Sequence, residues 1–280
     1  MTFPVPVLDH VVINVASQLD DASALYRRLG FQLSERGHHT LGSSNHLAIF
    51  DENYLELLGF EPGRGDKHKD LWEAPIGLTG LVWKTQSADD EFTHLVQQGL
   101  DGEPPAAFHR PVRLPDGQQT EARFKTVRLR PSLIPNGRSF FCQHQTPHAV
   151  WQPAWQVHPN GVKHISEFVI VAQDPAGSAL VYSRLFGEER FQATHDGALV
   201  LKAAKATVRI ASEEYARRRF GALPEDYNGT PRMAGLSFLT ADLAQVKASL
   251  QHGDIPFREE PDAIIVEPER AFNVALRFHR

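Results

Sequence analysis

The feature that most constrains this chain is that it repeats itself. The run Ile165–Gly187 (ISEFVIVAQDPAGSALVYSRLFG) lies on Leu8–Gly30 (LDHVVINVASQLDDASALYRRLG) without a gap. Self-similarity at a long period constrains architecture more than any local propensity, because each copy is one unit that buries its apolar face only against neighbours. The first copy is the clearest. Leu8 to Val15 is apolar and β-branched, as a buried strand should be. Ser17, Asp20 and Asp21 suit a helix start. Ala22, Leu25, Tyr26 and Leu29 form one helical stripe, which Gly30 ends. Strand-like runs follow at Phe31 to Glu35, His46 to Phe50 and Tyr54 to Phe60.

The same order returns. Leu78 to Lys84 reads as a strand, and Ser87 with Asp90 resembles a capping box. Phe92, Leu95 and Val96 make a stripe closed by Gly99. Candidate strands lie near Ala107 to Val112, Ala122 to Leu129 and Ser139 to Gln143. A third copy starts at His164 and a fourth near Met233, ending in strands at Ala263 to Glu267 and Asn273 to Phe278. The expected fold class is α+β: four βαβββ modules in two pairs, with curved mixed sheets forming cups and helices outside. Residues 1–150 would hold the first pair (about 5–66 and 76–147) and 151–280 the second (about 162–220 and 230–280). Between them HAVWQPAWQVHPNG (148–161) carries turn signals, and its two tryptophans suggest that it packs on something.

Composition excludes several classes. With 41% hydrophobic and 22% charged residues the chain can bury a core. A net charge of −5 argues against a nucleic-acid scaffold, and Arg217 to Arg219 read as a solvated helix face. Cys142 is the single cysteine, so no disulfide can form within the chain, and its strand setting suggests an inert thiol. No leader or membrane span is visible, so a cytoplasmic location is expected, with no nucleic-acid or membrane partner. The partner would be a small-molecule substrate or ligand, and a homodimer is open to it. No GxGxxG, P-loop, GxSxG or HExxH motif is present.

LDHVVINV, Gly30-Phe31, GHHTLGSSNHLAIF, YLELLGF and the later HPNG, in this order, resemble the glyoxalase-like branch of the vicinal-oxygen-chelate superfamily. That superfamily includes glyoxalases, bleomycin-resistance proteins and extradiol dioxygenases. The resemblance implies cups that often hold a divalent metal, with ligands from the first and fourth strands of each module. Strand alternation puts His10 with Val12 and Asn14 on one face, and Glu56 with Tyr54 and Leu58 on one face. Carried over, His10 and Glu56 would meet in the cup as ligands for Zn, Ni, Mn or Fe, or as a satisfied buried pair. In the second module the matching positions fall on Gly80, which cannot ligate, and near Gln143, with Phe141 then matching Tyr54. The implied metal set is His10, Glu56 and Gln143, with His144 and His158 as substitutes and Glu56 as catalytic base. Substrate contacts are expected from His38, His39, Asn45, His46 and Tyr54, with Trp83 and Phe141 on the wall. In the second half Glu167 and Arg209 would form an ion pair rather than a metal site.

The resemblance implies a divalent-metal-dependent lyase or isomerase on a small vicinal-oxygen substrate. The alternatives are a metal-free binding protein of the antibiotic-sequestering type and an extradiol-type dioxygenase.

Overall fold

A computed structural model describes residues 3–40, 42–60 and 72–280 of the protein. Leu41, and residues 61–66 of the first module's expected range, lie outside the described residues.

The first module runs β1 (Leu8–Ala16), α1 (Leu19–Arg28), β2 (Gly37–His38), β3 (Ser43–Ile49) and β4 (Tyr54–Phe60). The second runs β5 (Gly77–Thr85), α2 (Ala88–Gln98), β6 (Ala106–Arg113), β7 (Gln119–Arg128) and β8 (Arg138–His144). Their strands form one sheet in the order β2-β3-β4-β1-β5-β8-β7-β6. β1 and β5 pair antiparallel at its centre, and each pairs in parallel with the last strand of its own module.

The third and fourth modules repeat this plan: β9 (Val162–Val171), α3 (Pro175–Phe186), β10 (Phe191–Ala193), β11 (Leu199–Ala203), β12 (Ala206–Ala211), α4 (Glu213–Phe220), then β13 (Arg232–Thr240), α5 (Leu243–His252), β14 (Arg258–Glu260), β15 (Ala263–Val266) and β16 (Ala275–His279). The second sheet has the order β10-β11-β12-β9-β13-β16-β15-β14. Modules therefore pair in sequence order.

Local chemistry explains most helix ends. Ser87 caps α2, its hydroxyl accepting from the Asp90 amide, and Gly99 ends the helix at φ 63°. In α1 the acids Asp20 and Asp21 sit in the first turn, where the helix dipole favours them, but no side chain caps the start. No strand forms over residues 32–35. There the Ser34 amide still donates to the Leu47 carbonyl, but the Ser34 hydroxyl accepts from the Leu47 amide and the Gln32 amide donates to the His158 ring, so side chains replace the rest of a sheet ladder.

One apolar core joins both halves. The convex residues of both sheets and the buried stripes of α1, α2, α3 and α5 belong to it. Trp83 packs edge-on against Phe186 of α3, and the buried Arg232 donates to the Leu78 and Ile76 carbonyls. The concave faces differ. α4 fills the second cup: Ala216 and Phe220 pack on Val169, Val171, Ala234 and Ala275. Arg209 and Arg219 reach Glu167 at 2.8 and 3.3 Å, and Ser237 donates to it at 2.9 Å. Arg217 and Arg218 remain on the solvent side of α4. No helix among the described residues is long and apolar enough to cross a membrane.

Candidate functional site

The first cup keeps a cavity of about 80 Å³. Its wall follows from alternation along the strands. Val12 of β1 lies opposite Gly80 of β5, and a Cβ at Gly80 would come within 2.5 Å of the Val12 Cβ. Glycine here lets the two central strands approach. In β3 the inward residues are Ser43, Asn45 and Leu47; in β4 they are Tyr54, Glu56 and Leu58; in β8 they are Arg138, Phe140 and Cys142.

His10 and Glu56 come together as the alternation requires. Tyr54 is register partner to His10, and Glu56 to Val12. The Tyr54 ring stacks on the His10 imidazole at 4.3 Å. His10 Nε2 stands 3.6 Å from Glu56 Oε2. The other Glu56 oxygen accepts from the Asn45 amide nitrogen at 2.6 Å. Burial raises the Glu56 pKa, but His10, His39, the Asn45 bond and Arg138 outweigh it, so the carboxyl titrates below its usual range.

Asp9 is the residue that sequence reasoning missed. Leu8 faces Trp83 while His10 faces Val82, so Asp9 is the extra residue of a β-bulge. A bulge re-aims a side chain, and here it lets two consecutive residues interact. The fully buried Asp9 carboxylate accepts from His10 Nδ1 at 2.6 Å and from His144 Nε2 at 2.9 Å, with Lys84 Nζ at 3.8 Å. Desolvation opposes its charge, yet the two imidazoles hold its pKa well below the usual carboxylate range. Because Nδ1 of His10 donates to Asp9, Nε2 is the nitrogen turned to Glu56. The ligand-type atoms of Asp9, Cys142 and His144 also lie within 4.8 Å of one another, although burial raises the Cys142 thiol pKa well above its usual value.

Several expected positions are corrected. Gln143 is on the convex side of β8, where its amide oxygen accepts from the Ala88 amide at 3.1 Å and caps α2. The register Gly80↔Arg138, Val82↔Phe140, set against His10↔Tyr54, Val12↔Glu56, makes Phe140 the equivalent of Glu56. Trp83 is fully buried in the convex core with its indole N–H on Ser139 Oγ, and Phe141 lies in the same core. His38 is exposed, and His46 faces away from the cavity, donating to the Ser34 carbonyl. His158 bridges the Gln32 amide and the Ile49 carbonyl, so its role is to tie the connection down. Asn45 and Tyr54 do line the cavity, as does His39. The His39 ring takes the Asn45 amide on Nε2 and is bonded to Ser43 Oγ at 2.7 Å. Burial depresses its pKa to about 4.

The two edge strands close the cup. Phe108 of β6 meets the His39 ring edge-on at 5.5 Å. A Cβ on Gly37 of β2 would come within 3.0 Å of Arg110 on β6. Arg110 thereby enters a cavity that its sequence position does not suggest. The connection seals one end, with Trp151 against His144 and Tyr54.

The donor chemistry bears on a metal. Two ligands of one ion stand roughly 3–3.5 Å apart at the usual bond lengths, so His10 and Glu56, at 3.6 Å, would suit one after a small approach. The equivalents in the second module, Gly80 and Phe140, offer no donor.

The fold and cup define a vicinal-oxygen-chelate protein. Residues 8–186 match the family described as Glyoxalase-like domain, and the chain belongs to that family. No curated protein matches the chain. Similar solved structures include a hypothetical protein from Staphylococcus aureus, 14% identical with a TM-score of 0.67 over 98% of this chain and 99% of that one. A mutant of 4-hydroxymandelate synthase from Streptomyces coelicolor is 13% identical, with a TM-score of 0.60 over 98% and 92%. A xylose isomerase-like TIM barrel/4-hydroxyphenylpyruvate dioxygenase fusion protein is 14% identical, with a TM-score of 0.57 over 100% of this chain and 50% of that one. At these identities the likeness concerns the fold.

Proposed function

We propose that the first cup is the working site, and that it binds a small oxygen-bearing molecule with His10 and Glu56 as the protein's donors to a divalent cation. One observation carries this. With Nδ1 of His10 committed to Asp9, the His10 Nε2 and the Glu56 carboxylate face each other at 3.6 Å. Two electron-rich groups so placed need a positive centre between them, a proton or a metal ion. When bound, the metal would act as a Lewis acid on vicinal oxygens of the substrate. His39 is a third donor nearby, separated from Glu56 by the Asn45 amide that both accept. Glu56 is the base within reach of a bound molecule. Its lowered pKa keeps it ionised near neutrality.

Lyase or isomerase chemistry is the leading reaction class. The names of two similar structures, a 4-hydroxymandelate synthase and a 4-hydroxyphenylpyruvate dioxygenase fusion, bring dioxygenase chemistry in as the alternative. A metal-free binding protein is the second reading, favoured by Gly80 and Phe140 at the two equivalent positions. Elemental analysis of untagged protein separates metal-dependent from metal-free. Stoichiometric metal in the wild type, lost in a His10→Ala, Glu56→Ala double variant, is the expected result. Absence of metal, with no thermal stabilisation by added zinc, manganese, nickel or iron, would sink the metal reading in favour of the binder.

A further inference from the structure

Arg110 is 4% exposed, yet among the described residues it forms no ion pair, and its Nε has no hydrogen-bond partner. It lies on β6, whose edge curls against β2, and it lines the same cavity as His10 and Glu56. A guanidinium taken from water without a counter-charge costs several kcal/mol by general estimates, and such groups are retained where something else supplies the anion. Glu56 favours the guanidinium charge through space, but burial outweighs it and Glu56 does not pair with Arg110. That carboxylate gives one oxygen to Asn45 and the other faces His10, and no contact with Arg110 lies within 4 Å. Tyr54 keeps its proton, since burial lifts its pKa well above the usual value. Around Arg110 the wall is aromatic, with Phe108, Phe124 and Phe140.

We infer that Arg110 is the anion receptor of the cup, and that its ligand carries an anionic oxygen group, a carboxylate or phosphate, on an apolar body. This inference rests on the first cup being the working site but not on a metal being bound. The planar fork of the guanidinium pairs two oxygens of such a group at once. The remaining oxygens of the ligand then fall toward His10 and Glu56.

Two measurements on the full chain test it. The first compares benzoate, benzamide and inorganic phosphate by thermal shift and titration calorimetry. Benzoate and benzamide share a shape, so a shift with benzoate and none with benzamide reads charge recognition. Phosphate distinguishes a phosphoryl from a carboxyl ligand. Arg110→Gln should weaken anion binding roughly tenfold or more and Arg110→Lys less, with the affinity falling as salt rises. Equal binding of benzoate and benzamide, unchanged anion binding in Arg110→Gln, or no anion binding by the wild type would overturn the inference. The second measurement needs no ligand. Arg110→Met should raise the melting temperature in the absence of anions, because an unpaired buried charge is removed, and a lower one would mean that the guanidinium has an internal partner. The His10→Ala, Glu56→Ala variant should still bind benzoate, which has no further oxygen for those two residues to hold. A failed metal reading and a failed anion reading are therefore told apart.

Discussion

Replacing Asp9 by Asn tests the part of the site that sequence did not reveal. Asn keeps the volume and one acceptor, so the His10 and His144 contacts can persist while the charge goes. In the wild type those bonds are 2.6 and 2.9 Å long to a carboxylate with no solvent exposure. A hydrogen bond to a charged group contributes about 1.5–3 kcal/mol and a neutral one about 1 kcal/mol. Two such downgrades cost about 1–4 kcal/mol. The new N–H₂ also faces Lys84 Nζ, now at 3.8 Å from Asp9 Oδ1, with no acceptor. Relief from burying a charge offsets part of this, leaving a net loss of about 1–3 kcal/mol. For a chain of this size that is roughly 2–5 °C in melting temperature. The folded-state pKa of Asp9 is depressed, so its stabilisation is present above the unfolded carboxylate pKa and lost as pH falls below it. Melting curves of wild type and Asp9→Asn should therefore lie apart at neutral pH and converge in acid. Metal content should fall as well, because His10 loses its fixed tautomer. A variant as stable as wild type at pH 7, with unchanged metal content, would refute the argument.

Two more outcomes follow from the observed contacts of Gln143 and Glu167. Gln143→Ala removes the side-chain acceptor at the start of α2 and should cost about 1 kcal/mol by thermal melting, with metal content and anion binding unchanged; altered metal content would return Gln143 to the site. Glu167→Ala strands Arg209 and Arg219 in the filled second cup and should cost about 2–4 kcal/mol in urea unfolding, less than for a fully buried triad because both arginines are partly exposed. Metal lost from that variant would place the working site in the wrong half.

The sequence by itself determined the repeat, the strand–helix–three-strand order and which residues share a face with His10 and with Glu56; that the two strands lie side by side was what the family resemblance implied. Repeat, order and shared faces are periodic, and a period survives without knowledge of any partner strand. The gapless alignment of the two copies also put Glu167 at the place of His10, and the corresponding fourth strand offered Arg209 as its ion-pair partner. Other features depended on contacts between segments far apart in the chain, and only the tertiary structure decided them. Gln143 turned outward because β8 pairs with β5 in a register that brings Phe140 to the position equivalent to Glu56, and in a period of two an odd offset, here from Phe140 to Gln143, exchanges the faces. Trp83 fell to the convex core by the same alternation, where α3 of the other half covers it. Asp9 reached His10 through a bulge, which exists only relative to the opposing strand. Arg110 entered the cavity because the sheet curls until its two edge strands touch, a curvature that no local run of residues encodes.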